Sequence, residues 1–389
     1  PILMVSDETL TLVDLFAGCG GLALGFHQAG YSTLIANELH PDPAATYAHN
    51  LLPDSPESMI LGPIQEVLKN RHLEELGIRK GEVDCLAGGP PCQGFSMAGR
   101  GNPNDPRNSL YKEYLRVVRK TKPKSILFEN VPGFANRYGK DLRSHLIKSL
   151  KKMGYIIDDG ILEAKRFGVP QLRKRYFCIG IHKDFLNANQ FSLPKGTWSD
   201  AEIQKLTAKH AIDDLDTYSM RGGYGTGEID GPENYLKPAR TKFQREMREQ
   251  SGTTVKGITW NTRIPKHTKI VAKRMSAIQS GATRESLMGT ELQSRKLSQR
   301  PIKRDKFPNI TIVSIPDDYV HYNKDLPRTL SVRECARLQT FPDHFRFLGR
   351  RTTGAERRKI DVPQYTQVGN AIPPRLAEHL AKYISTYLD

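Results

Sequence analysis

The apolar positions of this chain change rhythm twice. Over the first 180 residues, short β-branched and aliphatic runs alternate with stretches whose apolar residues recur at helical spacing. "TLTLVDLFAG" predicts a strand that closes on a glycine turn, and "GLALGFHQAG" the helix behind it. "STLIANEL" predicts a second strand, followed by a helix from about Asp42 to Leu51. "VDCLAGG" reads as a buried strand running into "GGPPCQGFS", and "SLYKEYLRVVRK" as a helix. "KSILFENV" is the next strand, "LRSHLIKSLKKMG" a helix ended by Gly154, and "YIIDDGILEA" with "RYFCIGI" a closing strand pair. This order predicts an α/β fold, a doubly wound and mostly parallel sheet with helices on both faces. Ligands of such sheets collect at the carboxyl ends of the strands.

From about Lys195 to Asp325 the rhythm degrades into glycines, polar residues and basic clusters such as "SRKLSQRPIKRD". A second, smaller and irregular domain is expected there, with a strand at "NITIVSI". Regularity returns from Leu326: "SVRECARLQTFPD" predicts a helix stopped by proline, and "PRLAEHLAKYISTYL" an amphipathic C-terminal helix.

Composition narrows the setting. At 389 residues, 38% hydrophobic and 26% charged, the chain can bury a sizeable core. No apolar run reaches the roughly 18–20 residues of a spanning helix and no signal peptide opens the chain, so a cytoplasmic protein is expected. Cys19, Cys85, Cys92, Cys178 and Cys335 are odd in number and form no CxxC pair, which argues against a disulfide framework or a zinc site; no metal is predicted. The net charge of +16 is concentrated: between Leu236 and Lys306, 18 Lys and Arg face 5 Asp and Glu. Such a segment is the electrostatic footprint expected of nucleic-acid binding.

Four places carry candidate chemistry. "DLFAGCGGLALG" is a strand, a glycine-rich turn and a helix start, with Glu38 ending the next strand within reach of ribose hydroxyls. That pattern alone fits NAD, an adenosine-based methyl donor or a plain tight turn. In "GGPPCQGFS", Cys92 sits on a backbone stiffened by proline, ahead of a Gly/Pro/Asn-rich stretch long enough to act as a lid. Glu129 follows four apolar residues at the end of its strand, where burial favours a carboxyl that can share a proton. In "QLRKRY", Gln171, Arg173 and Arg175 alternate into a strand and are expected to share a face.

Taken in order, "FAGCGG", "GGPPCQGFS", "ENV", "QLRKR", "RECARLQTFPD" and "QVGNAIPP" resemble the cytosine-5 DNA methyltransferase family, in its bacterial restriction-modification or orphan form. The likeness covers residues 10–182 and 326–389 and treats the basic stretch between as a variable recognition region. It implies an S-adenosylmethionine-dependent, Rossmann-like catalytic domain made of residues 1–190 and 326–389, with a target-recognition domain at 191–325. It further implies that Cys92 attacks carbon 6 of a cytosine flipped out of double-stranded DNA, activating carbon 5 for methylation. Glu129 would hold nitrogen 3 and the exocyclic amine, Arg175 the cytosine carbonyl, and Arg173 would support the nucleophile site. Phe16, Gly18, Cys19, Gly20, Leu22, Glu38, Leu39, Pro91 and Asn370 match cofactor positions, and S-adenosylhomocysteine would be the product. Gln93, Ser96, Arg100, Gln171 and Thr329 would touch DNA.

The chain departs from the family pattern at two positions. Pro63 stands where many members have an acidic contact to the adenine amine, leaving a backbone group or Ile64 as substitute, and Leu39 replaces a large aromatic residue. The resemblance also implies a monomer, associated with the nucleoid and paired in function with a restriction endonuclease. A tRNA cytosine-5 methyltransferase is the nearest alternative; its Cys-Phe-Thr signature is absent here and the recognition region is large and basic. A nicotinamide oxidoreductase would share only the first motif, and a non-catalytic DNA-binding regulator would not need the catalytic motifs.

Overall fold

Strand β1 (Leu10–Leu15) is central to a seven-stranded sheet, and its last four residues are buried. It belongs to a computed structural model that describes residues 9–69, 73, 78–91, 109–135, 140–187, 190–215, 233–249, 257–265, 267–294, 300–314, 319–352 and 361–388. By packing, the chain falls into two units: Pro1–Glu163 with Lys174–Gly196 and Leu376–Asp389, and Ala164–Arg173 with Thr197–Arg375.

The first unit follows the predicted alternation: α1 (Gly21–Gln28), β2 (Tyr31–Glu38), α2 (Pro41–Leu51), β3 (Met59–Leu61), β4 (Cys85–Gly88), α3 (Leu110–Thr121), β5 (Ser125–Asn130), α4 (Lys140–Lys152), β6 (Tyr155–Glu163) and β7 (Lys174–His182). The strand order is β3-β2-β1-β4-β5-β7-β6, parallel throughout except β7, which runs antiparallel to both neighbours. Helix α3 shows why the fold is stable. Tyr111, Tyr114, Leu115, Val117 and Val118 fall on one face and pack with Val13, Leu15, Leu86 and Phe128 of the sheet. Its other face is exposed and basic, with Lys112, Arg116, Arg119 and Lys120. At roughly 1.5–3 kcal/mol for each large apolar side chain buried, such a face holds a helix that its propensity alone would not.

The strand order reverses between β1 and β4. Chain leaving β1 turns one way, toward β2 and β3, and chain leaving β4 turns the other way, toward β5. Crevices at such switch points are where ligands of open α/β sheets bind.

The second unit is built from short pieces: α5 (Asp200–Lys205), α6 (Ala208–Ile212), α7 (Lys242–Glu249), α8 (Lys269–Gln279), α9 (Arg284–Leu287), α10 (Val332–Leu338) and α11 (Gln364–Asn370), with two-residue strand pairs. Capping fixes several starts. At α10, Ser331 accepts from the Glu334 amide while Glu334 returns a bond to the Ser331 amide. Buried ion pairs tie the pieces together. Arg337 reaches Asp343 at 2.5 Å and Asp214 at 3.0 Å, Arg248 also reaches Asp214, and Arg328 grips Glu334 at 2.7 Å. The Arg337–Asp214 pair spans 123 residues, and by packing residues 326–375 fall in the second unit, although the sequence rhythm groups them with the sheet.

The strand expected at "NITIVSI" is not formed over its described part, Asn309–Ser314. Side chains take its backbone groups instead: Gln171 Oε1 accepts from the Ile312 amide, and Arg173 donates to the Ile312 carbonyl. A single backbone bond, Leu172 to Ile310, replaces a ladder.

Candidate active site

The switch point brings two motifs side by side. Leu15, the last residue of β1, is the register partner of Gly88, the last of β4. The glycine loop and "GGPP" therefore leave the sheet as neighbours. In the loop, Phe16 (φ 57°), Gly18 (57°) and Gly20 (95°) all adopt left-handed backbone. For Phe16, a residue with a side chain, that conformation is costly, and such strain concentrates at functional sites. Gly20 is a steric necessity as well, since a Cβ there would lie 2.6 Å from Leu51 and 2.9 Å from Tyr47.

Glu38 is buried at the end of β2, and backbone holds both of its oxygens. The Gly18 amide donates to Oε2 and the His40 amide to Oε1, each at 2.9 Å. Its remaining lone pairs suit ribose hydroxyls. Beside it stand two exposed leucines, Leu39 and Leu61, the latter paired in register with Glu38. Pro63 is exposed, whereas the Ile64 side chain is buried in the core. Cys19 and Leu22 are buried, so they can offer a ligand only backbone.

On β5, Glu129 pairs with Arg175 of β7, Nε to Oε1 at 3.1 Å. Burial lowers the Arg175 guanidinium from its ordinary value, and the Glu129 carboxylate opposes that fall. Gly89 lies directly under this carboxylate: a Cβ there would stand 2.7 Å from Glu129 Oε2. The neighbouring Asn130 donates to the Pro90 carbonyl at 3.0 Å and accepts from the Val131 amide. The strand end thus fixes the backbone two residues before Cys92. Pro91 is exposed. Cys92, Gln93, Ser96 and Arg100 lie outside the described residues. The other four cysteines are buried; burial pushes the Cys19 and Cys85 thiols up to about 12, and Cys178 and Cys335 higher still. None of those four can serve as a thiolate near neutral pH.

The expectation that Gln171, Arg173 and Arg175 share a strand face needs correction. The strand begins only at Lys174, and Arg175 alone of the three lies in it. Gln171 and Arg173 belong to the second unit and are fully buried there. The Gln171 amide donates to the Leu338 carbonyl and to Gln339, so it presents no group to a duplex. Arg173 donates to the carbonyls of Ile312, Gly369 and Asn370, joining three distant segments. Thr329 is likewise buried, its amide donating to His267. Asn370 ends α11, exposed, and accepts from Ser314 at 2.9 Å.

Sequence reasoning passed over Asp14 and Tyr47. Asp14 is buried in β1, two residues before Phe16, and accepts from the Tyr47 hydroxyl. Tyr47 in turn meets Thr33 at 3.2 Å, and Thr33 meets His27 at 2.8 Å. Asp14 Oδ2 has no hydrogen-bond partner among the described residues. Burial pushes the carboxyl up to about 8; the Tyr47 bond opposes the rise and the Glu38 charge adds to it. A lone acid inside "TLVDL" was the available signal. The orphaned oxygen, the pinned Glu38 and the strained loop together fit an adenosine cofactor with a cationic end. Among the described residues, no group of His, Cys, Asp or Glu could hold a metal ion, and no helix is long and apolar enough to cross a membrane.

Comparison with known proteins agrees with this geometry. A sequence profile described as C-5 cytosine-specific DNA methylase matches residues 10–386. The chain is 33% identical to the Type II methyltransferase M.DdeI of Desulfomicrobium norvegicum, over 98% of this chain and 89% of that protein. It is 32% identical to the Type II methyltransferase M1.HphI of Haemophilus parahaemolyticus, over 97% and 87%. Among solved structures, a protein described as a DNA modification methyltransferase encoded within an E. coli prophage superposes with a TM-score of 0.74 at 26% identity, covering 97% of this chain and 99% of that one. The S. pombe Dnmt2 methyltransferase covers the same shares with a TM-score of 0.54 at 15% identity, a likeness of fold alone.

Proposed function

Since the chain belongs to the C-5 cytosine-specific DNA methylase family and is a DNA cytosine-5 methyltransferase, we propose that it works through a covalent Cys92 adduct on a cytosine flipped out of a specific duplex sequence. The observation that carries this reading is the ordered end of β5: Glu129 over Gly89 and paired with Arg175, with Asn130 gripping the backbone that leads to Cys92. Burial of the four other thiols supports the reading of Cys92 as the nucleophile.

Cytosine is a poor electrophile, so addition at carbon 6 needs the ring's growing negative charge to be met as the thiolate attacks. The Glu129 carboxyl, protonated as the cytosine enters, meets it by donating its proton to nitrogen 3 and accepts from the exocyclic amine, while Arg175 turns from it toward the ring carbonyl. S-adenosylmethionine supplies the methyl group as an electrophile and leaves as S-adenosylhomocysteine. Glu38 accepts the ribose hydroxyls, the loop from Phe16 to Leu22 receives the amino-acid end, and Leu39 and Pro91 flank the cofactor. A water molecule takes the carbon 5 proton, the 5–6 double bond re-forms as Cys92 leaves as thiolate, and nitrogen 3 returns its proton to Glu129. Extrusion of the base costs about a few kcal/mol of stacking, which phosphate contacts from the basic segment offset. We assign that segment, within 191–325, to target recognition, and residues 1–190 and 326–389 to catalysis. The enzyme acts as a monomer beside a cognate endonuclease, on the nucleoid.

Bisulfite sequencing of DNA from a host expressing the chain tests activity and target together, and a host showing no new 5-methylcytosine would sink the reading. Cys92→Ala must abolish methylation while S-adenosylhomocysteine still binds. A duplex carrying 5-fluorocytosine at the target must trap a denaturation-resistant complex, because fluorine cannot leave as a proton. Tritiated methyl appearing in tRNA and not in DNA would turn the assignment to the RNA alternative.

A further inference from the structure

The catalytic scheme makes no use of the outer face of α3, where the sheet unit gathers its positive charge. Residues 109–124 hold six Lys and Arg against one acid, and residues 141–152 of α4 hold four against one. The chain outside Leu236–Lys306 carries a net charge of only +3, so these two stretches are the basic part of an otherwise acidic remainder. Tyr111 meets His145 at 3.1 Å, and both helices pack into one apolar core, side by side. A cleft of about 500 Å³ opens between α3 and the turn Ile64–Leu68, lined by Gln65, Lys69, Glu113, Arg116, Arg119 and Lys120.

Few of these charges have partners. Lys69 pairs with Glu66 at 2.7 Å and Arg116 with Glu113 at 3.0 Å, whereas Lys112, Arg119 and Lys120 are exposed and have no ion pair among the described residues. Cations in a last helical turn favour the dipole, which accounts for Arg119 and Lys120 alone. The helix ends at Lys122 with φ 45°, a left-handed cap that usually takes glycine or asparagine. A lysine there costs backbone strain and adds a charge. The Gly81 amide donates to the Thr121 carbonyl at 2.9 Å and brings exposed Lys80 to the same end. The charges thus run past the cleft at both ends and fit an extended anion. From Lys112 to Lys120 is about 12 Å of helix at 1.5 Å a residue, over which one DNA strand passes about three or four phosphates. A compact nucleotide would find only Leu68 and aliphatic stems for its base.

We propose that this face of α3, with Lys69, Lys80 and Lys122 around it, is a second DNA-binding surface, which holds the phosphate backbone of a duplex segment other than the one being methylated. Strands β4 and β5 are parallel, so α3 between them runs back along the sheet. Its last turn lies at the amino ends of the strands, about 18 Å of helix from the end where Glu129 stands. Base pairs around an extruded cytosine stand at the carboxyl ends and do not reach Lys120. Lysine and arginine on a convex helix face hold backbone charge without reading sequence. The service is retention: after one target is methylated and released, the chain stays on the same polymer.

Amine footprinting of the full chain tests this without turnover. The protein is acetylated with and without an alternating A·T duplex, which has no cytosine to engage the site, and modified lysines are mapped by mass spectrometry. The expected result is protection of Lys112, Lys120 and Lys122, lost again as salt is raised, because phosphate contacts release counterions. Unchanged acetylation of those lysines at saturating DNA overturns the proposal, whether or not Lys273 of the basic segment is protected. Lys273 keeps the two readings apart, since its failure to be protected faults the recognition segment and not α3. Stronger protection by polyglutamate at equal charge would assign the face to an acidic protein and overturn the proposal too. The double variant Arg119→Gln/Lys120→Gln locates the effect. Its log affinity for the same duplex should fall with log salt on a slope shallower by about 2, with methylation of a short target duplex unchanged. An unaltered slope, or an equal loss of methylation on the short duplex, would refute a surface separate from the site.

Discussion

Each unit buries carboxyl groups, and burial has opposite results in the two. In the sheet unit, Asp14 has no cation beside it and its carboxyl is pushed up to about 8. In the second unit, Glu334 lies between Arg328 and His321, and Asp343 against Arg337. Against desolvation by burial, those cations hold Glu334 well below the ordinary carboxylate range and lower Asp343 as well. Depth is the same; the partner decides. The second unit, short of regular elements, uses charge to hold its pieces together. The sheet unit is held chiefly by its apolar core, and one Asp14 oxygen is left without a hydrogen-bond partner among the described residues.

The contrast can be tested from both sides. Glu129→Gln should reduce single-turnover methylation by about 10²–10⁴-fold and leave S-adenosylhomocysteine affinity near its original value. A loss below tenfold would place the site's acid elsewhere. Arg337→Ala should instead act on stability, by about 3–5 kcal/mol in urea unfolding, because it removes the guanidinium bonded to buried Asp343 and one of the two bonded to buried Asp214. An effect under about 1 kcal/mol would mean that apolar packing, not charge, holds the second unit.

The pH dependences should run in opposite directions. Glu334 and Asp343, depressed in the fold, contribute stability above their unfolded values of 4.5 and 3.8 and lose it as pH falls below them. Asp14, raised in the fold, contributes below 3.8 and loses its contribution as pH rises through about 8. Hydrogen exchange in acid should therefore deprotect Val332–Leu338 before Leu10–Leu15, and Asp14→Asn should flatten the stability decline between pH 4 and pH 8. Simultaneous deprotection of both segments would erase the distinction. The smallest effect is expected from Ser331→Ala, about 1 kcal/mol in the same unfolding assay, through loss of the α10 cap.

Where local pattern decides structure, the sequence was readable. The strands and helices of the sheet unit, and the meeting of the glycine loop with "GGPP", followed from periodicity and from the rule for strand ends. Glu129 and Arg175 were legible as candidates, and the β5–β7 pairing brings them together. Reading failed where side chains replace backbone partners. "NITIVSI" has strand composition, yet Gln171 and Arg173 take its hydrogen bonds. It failed again where a pair spans long sequence separation: nothing local to "RECARLQTFPD" announces that Arg337 will bind Asp214. Asp14 was visible as an anomaly, but its orphaned oxygen is a three-dimensional fact.

The connection between β6 and β7 bears on how such a protein can be re-engineered or diversified. These strands are antiparallel neighbours, yet the chain joining them is no simple hairpin turn. Ala164–Arg173 packs with the second unit, closed at its base by the bond from the Ala164 amide to the Arg173 carbonyl. The chain therefore changes unit after Glu163, Arg173, Gly196 and Arg375. No single excision releases either unit as a cassette. A recombination event that exchanged everything from Thr197 onward would still leave ten residues of the old second unit behind, with Gln171 and Arg173 seeking carbonyls at 312, 338, 369 and 370. Swapping of a whole unit is thus barred by topology, and any exchange of sequence within the second unit must work around those fixed acceptors.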